Sequence, residues 1–266
     1  MIEQELSGKV AIVAGGSLGI GRGAALCLAA SGAAVVIGAR RQAALDEVVG
    51  QIEAAGGRAL GVAGDLAASQ SARALVNAAV EAFGGVDILV TSQGIQRYGT
   101  VEETTEELWD EVIAVNLTSM FLTAKYAIPE MRKRGGGSIV NVSSVQGLST
   151  QTQVAAYSTS KSAIIGLTRT IAVDYAKENI RANSVLPASV DTPMLRHSAD
   201  LFKGEQSVSE VLSDWGKMHP VGRIGTPEEI GELIRFLAGP RSTFITGAEF
   251  KIDGGMMSAL GVQLPE

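Results

Sequence analysis

The segment Lys9-Val-Ala-Ile-Val-Ala14 runs directly into Gly15-Gly-Ser17-Leu18-Gly19-Ile20-Gly21, and an Ala/Leu-rich stretch follows to about Ala30. A short apolar run bounded by glycine reads as a buried strand, and the alanine-rich stretch as a helix. Strand, glycine turn and helix in this order limit the possible folds more than any other feature of the chain. Glycines in such a turn let a pyrophosphate approach the backbone, and the free N–H groups of the helix start face the anion. Glycine clusters also serve ordinary turns. The flanking strand and helix favour a dinucleotide site, with Gly15, Ser17, Leu18, Gly19, Ile20 and Gly21 as candidate contacts.

Further apolar runs at 33–37, 59–63, 87–90, 137–142 and 182–186, and one from Phe250, alternate with helical stretches. That alternation predicts an α/β fold, a doubly wound parallel sheet of about seven strands with helices on both faces. With 266 residues, 46% of them hydrophobic, the chain is long enough for one well-buried core, so a single domain over 1–266 is expected. The apolar, uncharged run 23–39 breaks at Ser31-Gly32, which argues against a membrane span. The N-terminus lacks the basic-then-apolar order of a secretion signal, and a cytoplasmic protein is expected. A net charge of −6 argues against nucleic acid as the main partner. The single cysteine, Cys27, excludes an intrachain disulfide and reads as a small core residue. Only His197 and His219 accompany it, which argues against a catalytic zinc and leaves tyrosine as the natural proton carrier.

The second strand ends near the place where a dinucleotide site holds the adenosine ribose, and an acidic residue there selects NAD(H). This chain has Ala39-Arg40-Arg41 instead, and no acidic residue occurs between Glu5 and Asp46. Guanidinium groups match a phosphate by bidentate bonding, so Arg40 and Arg41 favour NADP(H), with NAD(H) open. Two solvated arginines opening a helix are the alternative.

Ser144, Tyr157 and Lys161 carry the chemistry. Tyrosine and lysine four positions apart share one helical face and can share one substrate. A phenol working near neutrality needs its pKa lowered by about 2–3 units, or ~3–4 kcal/mol. One ammonium about 4 Å away supplies ~4 kcal/mol at an effective dielectric of ~20. Ser144 adds a hydroxyl that can hold a carbonyl oxygen while Tyr157 gives or takes its proton. Taken alone, Tyr157 and Lys161 would also suit a half-buried aromatic and a solvated helix end.

The serine, Tyr-x-x-x-Lys and the glycine turn with spacing three then one together resemble the short-chain dehydrogenase/reductase family in its short form, over nearly the whole chain. The resemblance implies a Rossmann-like fold and a Ser-Tyr-Lys-Asn site completed by Asn116, which would loosen its helix and bind a water linked to Lys161. It places Asp65 and Leu66 by the adenine, with an N-cap for a helix near Ala67 as a compatible role for Asp65. Gly94, Pro187, Val190 and Thr192 would lie along the cofactor, and Lys161 would also hold the nicotinamide ribose. Ser144 fits the family spacing to Tyr157, with Ser143 as the fallback. A homo-oligomer, usually a tetramer, is implied, built on the helix of Tyr157 and its predecessor. The chain departs from the family at Ala14, where threonine is usual, at Thr91-Ser92-Gln93, where Asn-Asn-Ala is usual, and at Ala188, where glycine is common.

Thr104-Thr-Glu-Glu107 and Thr226-Pro-Glu-Glu read as helix starts, the first running towards Arg134 and carrying Asn116 in mid-helix. Residues 194–221 lose periodicity and are expected to form an irregular substrate lid, with the lid as a whole at about 194–222. The polar stretch 146–154 hints at a hydroxylated substrate. The expected activity is hydride transfer between NADP(H) and a small-molecule carbonyl or secondary alcohol. An NAD-dependent sugar or polyol dehydrogenase and a non-catalytic NADP(H) sensor are the alternatives. Enoyl reductases of the same superfamily usually separate Tyr and Lys by six residues.

Overall fold

A computed structural model describes residues 4–260. Its seven strands are β1 (Val10–Ala14), β2 (Ala34–Ala39), β3 (Arg58–Ala63), β4 (Ile88–Thr91), β5 (Gly137–Val142), β6 (Ile180–Pro187) and β7 (Glu249–Ile252). All pair in parallel in the order β3-β2-β1-β4-β5-β6-β7. Successive side chains of a strand point to opposite faces. Ala11, Val13, Val35 and Ile37 accordingly pack under α1 (Gly19–Ala30), α2 (Gln42–Ala54) and α9 (Pro227–Ala238). Val10, Ile12, Ala14 and Val36 pack on the other face, under α3 (Ser69–Phe83), α5 (Ser119–Lys133) and α6 (Ala155–Tyr175). The strand order reverses between β1 and β4, and a crevice opens there beyond their carboxyl ends.

Two buried polar devices fix the sheet. Asp87, just before β4, accepts from the backbone N–H of Val10 at 2.9 Å, from Lys9 at 3.2 Å and from Arg134 at 3.1 Å. At the other end, Thr91 donates to Asn141, the Asn141 amide donates to Thr168, and Ser184 donates to the same hydroxyl, all at 2.7–2.9 Å. Thr168 passes its own proton to the carbonyl of Ile164, so β4, β5, β6 and α6 are joined in one chain of bonds.

Several expectations are corrected. The helix after β4 starts one residue later than the Thr104 pattern predicts. Thr105 is the cap, accepting from Leu108 N–H, while Thr104 donates back to the Thr100 carbonyl in a separate turn closed by Glu103. This helical run is not uniform: α4 (Glu106–Ile113) widens to a π turn (Ala114–Thr118) centred on Asn116, then continues as α5. By length and composition alone the run could cross a bilayer, yet Ala124, Ala127, Ile128 and Met131 are buried in the core beneath it. Asp65 does not cap α3, which begins at Ser69; its carboxylate instead accepts from Ala67 N–H at 3.1 Å in the preceding turn. The segment expected to be irregular holds α7 (Pro193–Phe202) and α8 (Val208–Gly216). Both helices are nucleated by caps, Thr192 for α7 and a reciprocal Ser207–Glu210 pair for α8, and they bury a small cluster of their own around Ala199, Val211 and Leu212. A short apolar stripe needs few periodic residues, which is why the pattern faded in sequence. Val173 of α6 is 79% exposed.

Candidate active site

The glycine turn sits at the head of the crevice. Gly15 has φ +80°, and a Cβ there would lie 2.4 Å from the backbone nitrogen of Gln93, so no other residue lets β1 turn this close to the chain leaving β4. A Cβ at Gly21 would meet the Gly15 carbonyl at 2.2 Å. Backbone bonds hold the turn beside Ala14: Gly15 N–H donates to the Gly38 carbonyl and Ser92 N–H to the Ala14 carbonyl, both at 2.8 Å. Helix α1 opens at Gly19 with Leu18 in the N-cap position, no side-chain cap and no acid in its first turn. Its first N–H groups are therefore free for an anion. Thr192 closes over this point, its methyl 3.0 Å from the Cβ position of Gly19.

From there a cleft of about 550 Å³ runs along the sheet edge, with Ser17, Leu18, Gly19 and Ile20 on its wall. This volume is ordinary for a cofactor site (~300–1,000 Å³). At one end stand Arg40 and Arg41, both exposed, their guanidinium groups neither hydrogen-bonded nor ion-paired to another described residue, with Asp65 and Leu66 lining the same opening. These groups fit a dinucleotide: free N–H donors for its pyrophosphate and uncommitted guanidinium groups beyond them.

Tyr157 and Lys161 occupy the other end, one turn apart on α6. The Lys161 ammonium lies over the phenol ring, 5.5 Å from its centroid, and donates to the Val142 carbonyl at 3.1 Å. Burial pushes the Tyr157 phenol up to about 12, while the Ser144 hydroxyl beside it pulls the other way. Burial likewise brings Lys161 down to about 8. The lowered phenol expected from sequence is thus not what the protein alone provides, because two ionisable groups are enclosed with few polar partners.

The two adjacent serines divide. Ser143 donates to the Lys161 carbonyl at 2.7 Å, spending its hydroxyl on α6, whereas Ser144 accepts from Gln146 N–H and meets the Pro187 carbonyl only at 3.5 Å. Asn116 is fully buried. Its amide oxygen accepts from Ile95 N–H at 2.7 Å, and its two amide hydrogens go to the Ile95 carbonyl and the Ser160 hydroxyl. No amide hydrogen is left for the water that the family resemblance implies. Gly94 makes room for this end: a Cβ there would be 3.5 Å from the Asn116 oxygen and 3.6 Å from the Lys161 nitrogen.

Ser144, Asn116, Pro187 and Val190 stand behind the cleft rather than on its wall, which Ser143 does line; Val190 is buried and bridged to Gly225. Lining residues that the sequence did not single out include Ser92, Val115, Ser119 and Met194. Tyr98 was also missed: its ring meets Phe202 of α7 edge-on at 4.7 Å, tying the loop after β4 to the segment above the site. Nor does the Thr91-Ser92-Gln93 departure remove polar bracing. Thr91 bonds Asn141, and Gln93 donates to Ser119 at 2.9 Å.

A family model described as enoyl-(acyl carrier protein) reductase matches residues 14–257. An uncharacterized oxidoreductase of Thermotoga maritima is 41% identical over 248 residues, 93% of this chain and 97% of its own length. The cyclohexanol dehydrogenase of Acinetobacter sp. (strain SE19) is 34% identical over 259 residues, covering 97% and 98% of the two chains. Among solved structures, L-sorbose reductase from Gluconobacter frateurii, complexed with NADPH and L-sorbose, superposes with a TM-score of 0.92 at 32% identity, covering 97% of this chain and 100% of that one. Sheet order, cleft and relatives agree: the chain belongs to the short-chain dehydrogenase/reductase family and is an NAD(P)-dependent alcohol/carbonyl oxidoreductase.

Proposed function

We propose that the protein exchanges a hydride between NADP(H) and a ketone or secondary alcohol, with Tyr157 as the proton carrier. The observation that carries this reading is the Lys161 ammonium stacked over a buried phenol, at the end of a cleft whose far end presents two uncommitted guanidinium groups. The first turn of α1 would hold the pyrophosphate, Arg40 and Arg41 a 2′-phosphate, Asp65 and Leu66 the adenine, and Lys161 the nicotinamide ribose. Thr192, which closes over the first turn of α1, would lie beside the phosphates, and the backbone of Val190 beside the nicotinamide carboxamide. When bound, the cofactor supplies or takes the hydride. Ser144 donates its hydroxyl to the substrate oxygen. Asn116 acts by holding the widened turn to the loop after β4.

The Lys161 ammonium, 5.5 Å from the centre of the phenol ring, favours the phenolate. That offsets part of the burial and leaves Tyr157 an alkaline acid. Oxidation requires the phenolate and reduction the phenol. The kcat/KM for oxidation is therefore expected to rise between roughly pH 7 and pH 9, while that for reduction does not rise. The gain flattens as Lys161, held at about 8, loses its charge. Oxidation that falls with pH across this span would contradict Tyr157 as the base.

The NADPH bound by the sorbose reductase relative supports the cofactor assignment. Each guanidinium–phosphate contact contributes about 1.5–3 kcal/mol, so Arg40→Ala and Arg41→Ala should each raise the KM for NADP by roughly ten- to a hundredfold. NAD kinetics should change little, and an unaltered NADP/NAD preference would overturn the phosphate assignment.

Sorbose and cyclohexanol, named for two relatives, both offer a secondary alcohol or ketone of modest size. A panel of cyclic and open-chain ketones, polyols and 3-oxoacyl thioesters, followed at the nicotinamide absorbance band with both cofactors, tests the reaction. No turnover with any of them would favour a sensor. The Tyr98–Phe202 contact supports α7 and α8 as the substrate lid of a one-domain enzyme. Phe121 of α5 and Val173 of α6, large apolar side chains exposed on neighbouring helices, support assembly into a homo-oligomer through that face.

A further inference from the structure

The widened turn at 114–118 is stitched to the chain leaving β4 at two places. Asn116 makes one stitch, exchanging hydrogen bonds with both backbone groups of Ile95. Gln93 makes the other: its amide donates to the Ser119 hydroxyl at 2.9 Å, and Ser119 donates to the Val115 carbonyl at 2.5 Å. A π turn misaligns the regular carbonyl-to-amide bonding of a helix, and Ser119 supplies Val115 with a donor inside that turn.

The other half of the Gln93 amide is unmet. Its oxygen is buried and has no partner among the described residues. An unsatisfied buried acceptor is unfavourable, and an apolar side chain of the same shape would avoid the penalty. Gln93 is therefore a poor choice for stability alone. It stands beside Gly94, whose Cβ position lies within 3.6 Å of both Asn116 and Lys161.

We propose that Gln93 is a positioning residue for the reaction: through Ser119 it holds the π turn in register with the cleft floor and so sets the Lys161–Asn116 geometry at the reacting end. This rests on the reading of Lys161 and Asn116 as part of the site. Displacement of a catalytic group by as little as ~1 Å can lower turnover by about a hundredfold, and loss of one of two stitches should cost roughly five- to twentyfold.

The test is Gln93→Met, which keeps the length and removes the donor, compared with Ser119→Ala, the Gln93→Met/Ser119→Ala pair and Asn116→Ala. Gln93→Met should lower kcat with the KM for cofactor held within about twofold and the melting temperature unchanged or raised. The double variant should be no slower than the slower single one, because both act on one relay. A kcat loss matched by a lower melting temperature, a cofactor KM raised with kcat intact, or additive losses would each overturn the proposal. Loss of turnover in Asn116→Ala with none in Gln93→Met would overturn it and leave the reading of the site standing. Full activity in both would remove the two together.

Discussion

Tyr157→Phe should lower kcat by roughly a thousandfold in both directions, the middle of the ~10²–10⁴ range for a positioned acid–base group. The substitution deletes one oxygen and leaves the ring on which α6 packs, so it creates no cavity to collapse. Lys161 keeps its bond to the Val142 carbonyl, and the cleft that runs back to Arg40 is untouched. Cofactor affinity, measured by fluorescence titration, should stay within a few fold. The melting temperature should hold or rise, since the group removed is a buried phenol. Turnover within tenfold of the parent enzyme would mean that another group moves the proton.

The largest expected effect on stability lies at the opposite end of the sheet. Asp87→Ala removes a 5% exposed carboxylate that binds the Val10 N–H, Lys9 and Arg134 together. Breaking a fully buried ion pair costs ~3–5 kcal/mol. Lys9 and Arg134 keep access to water and can be rehydrated, whereas the Val10 N–H is left buried without an acceptor, which places the expected loss at about 2–4 kcal/mol. For a chain of this size that is a drop of roughly 5–12 °C, measurable by calorimetry. The kinetic constants of the folded fraction should not change, because Asp87 lies before β4 and the cleft opens after it. A melting temperature within a degree or two of the parent would show that the cluster is dispensable.

Much of the architecture was legible because its signals are local. A five-residue apolar strand followed by glycines that admit no Cβ has few other solutions, and the Thr226-Pro-Glu-Glu start of α9 appears as a complete capping box. Where two adjacent residues could play one part, sequence was weaker. Thr104 and Thr105 are chemically equivalent caps, and only the turn that Glu103 closes on Thr100 selects the second. Ser143 and Ser144 likewise differ only in which way the strand end points them. Helices α7 and α8 escaped because they bury their apolar residues chiefly on each other. Gln93 was readable only as a departure from the family pattern. Its partner Ser119 is 26 positions away, and no local pattern predicts that a helix will widen to present that hydroxyl.

The chain of bonds from Thr91 through Asn141 and Thr168 to Ser184 has a mechanical consequence. Thr168 lies two turns along α6 from Lys161, on the side turned to the sheet. Any glide of that helix along its axis would rupture its bonds to both β5 and β6 at once. The helix that carries Tyr157 and Lys161 is thus keyed to two strands of the sheet through a single hydroxyl.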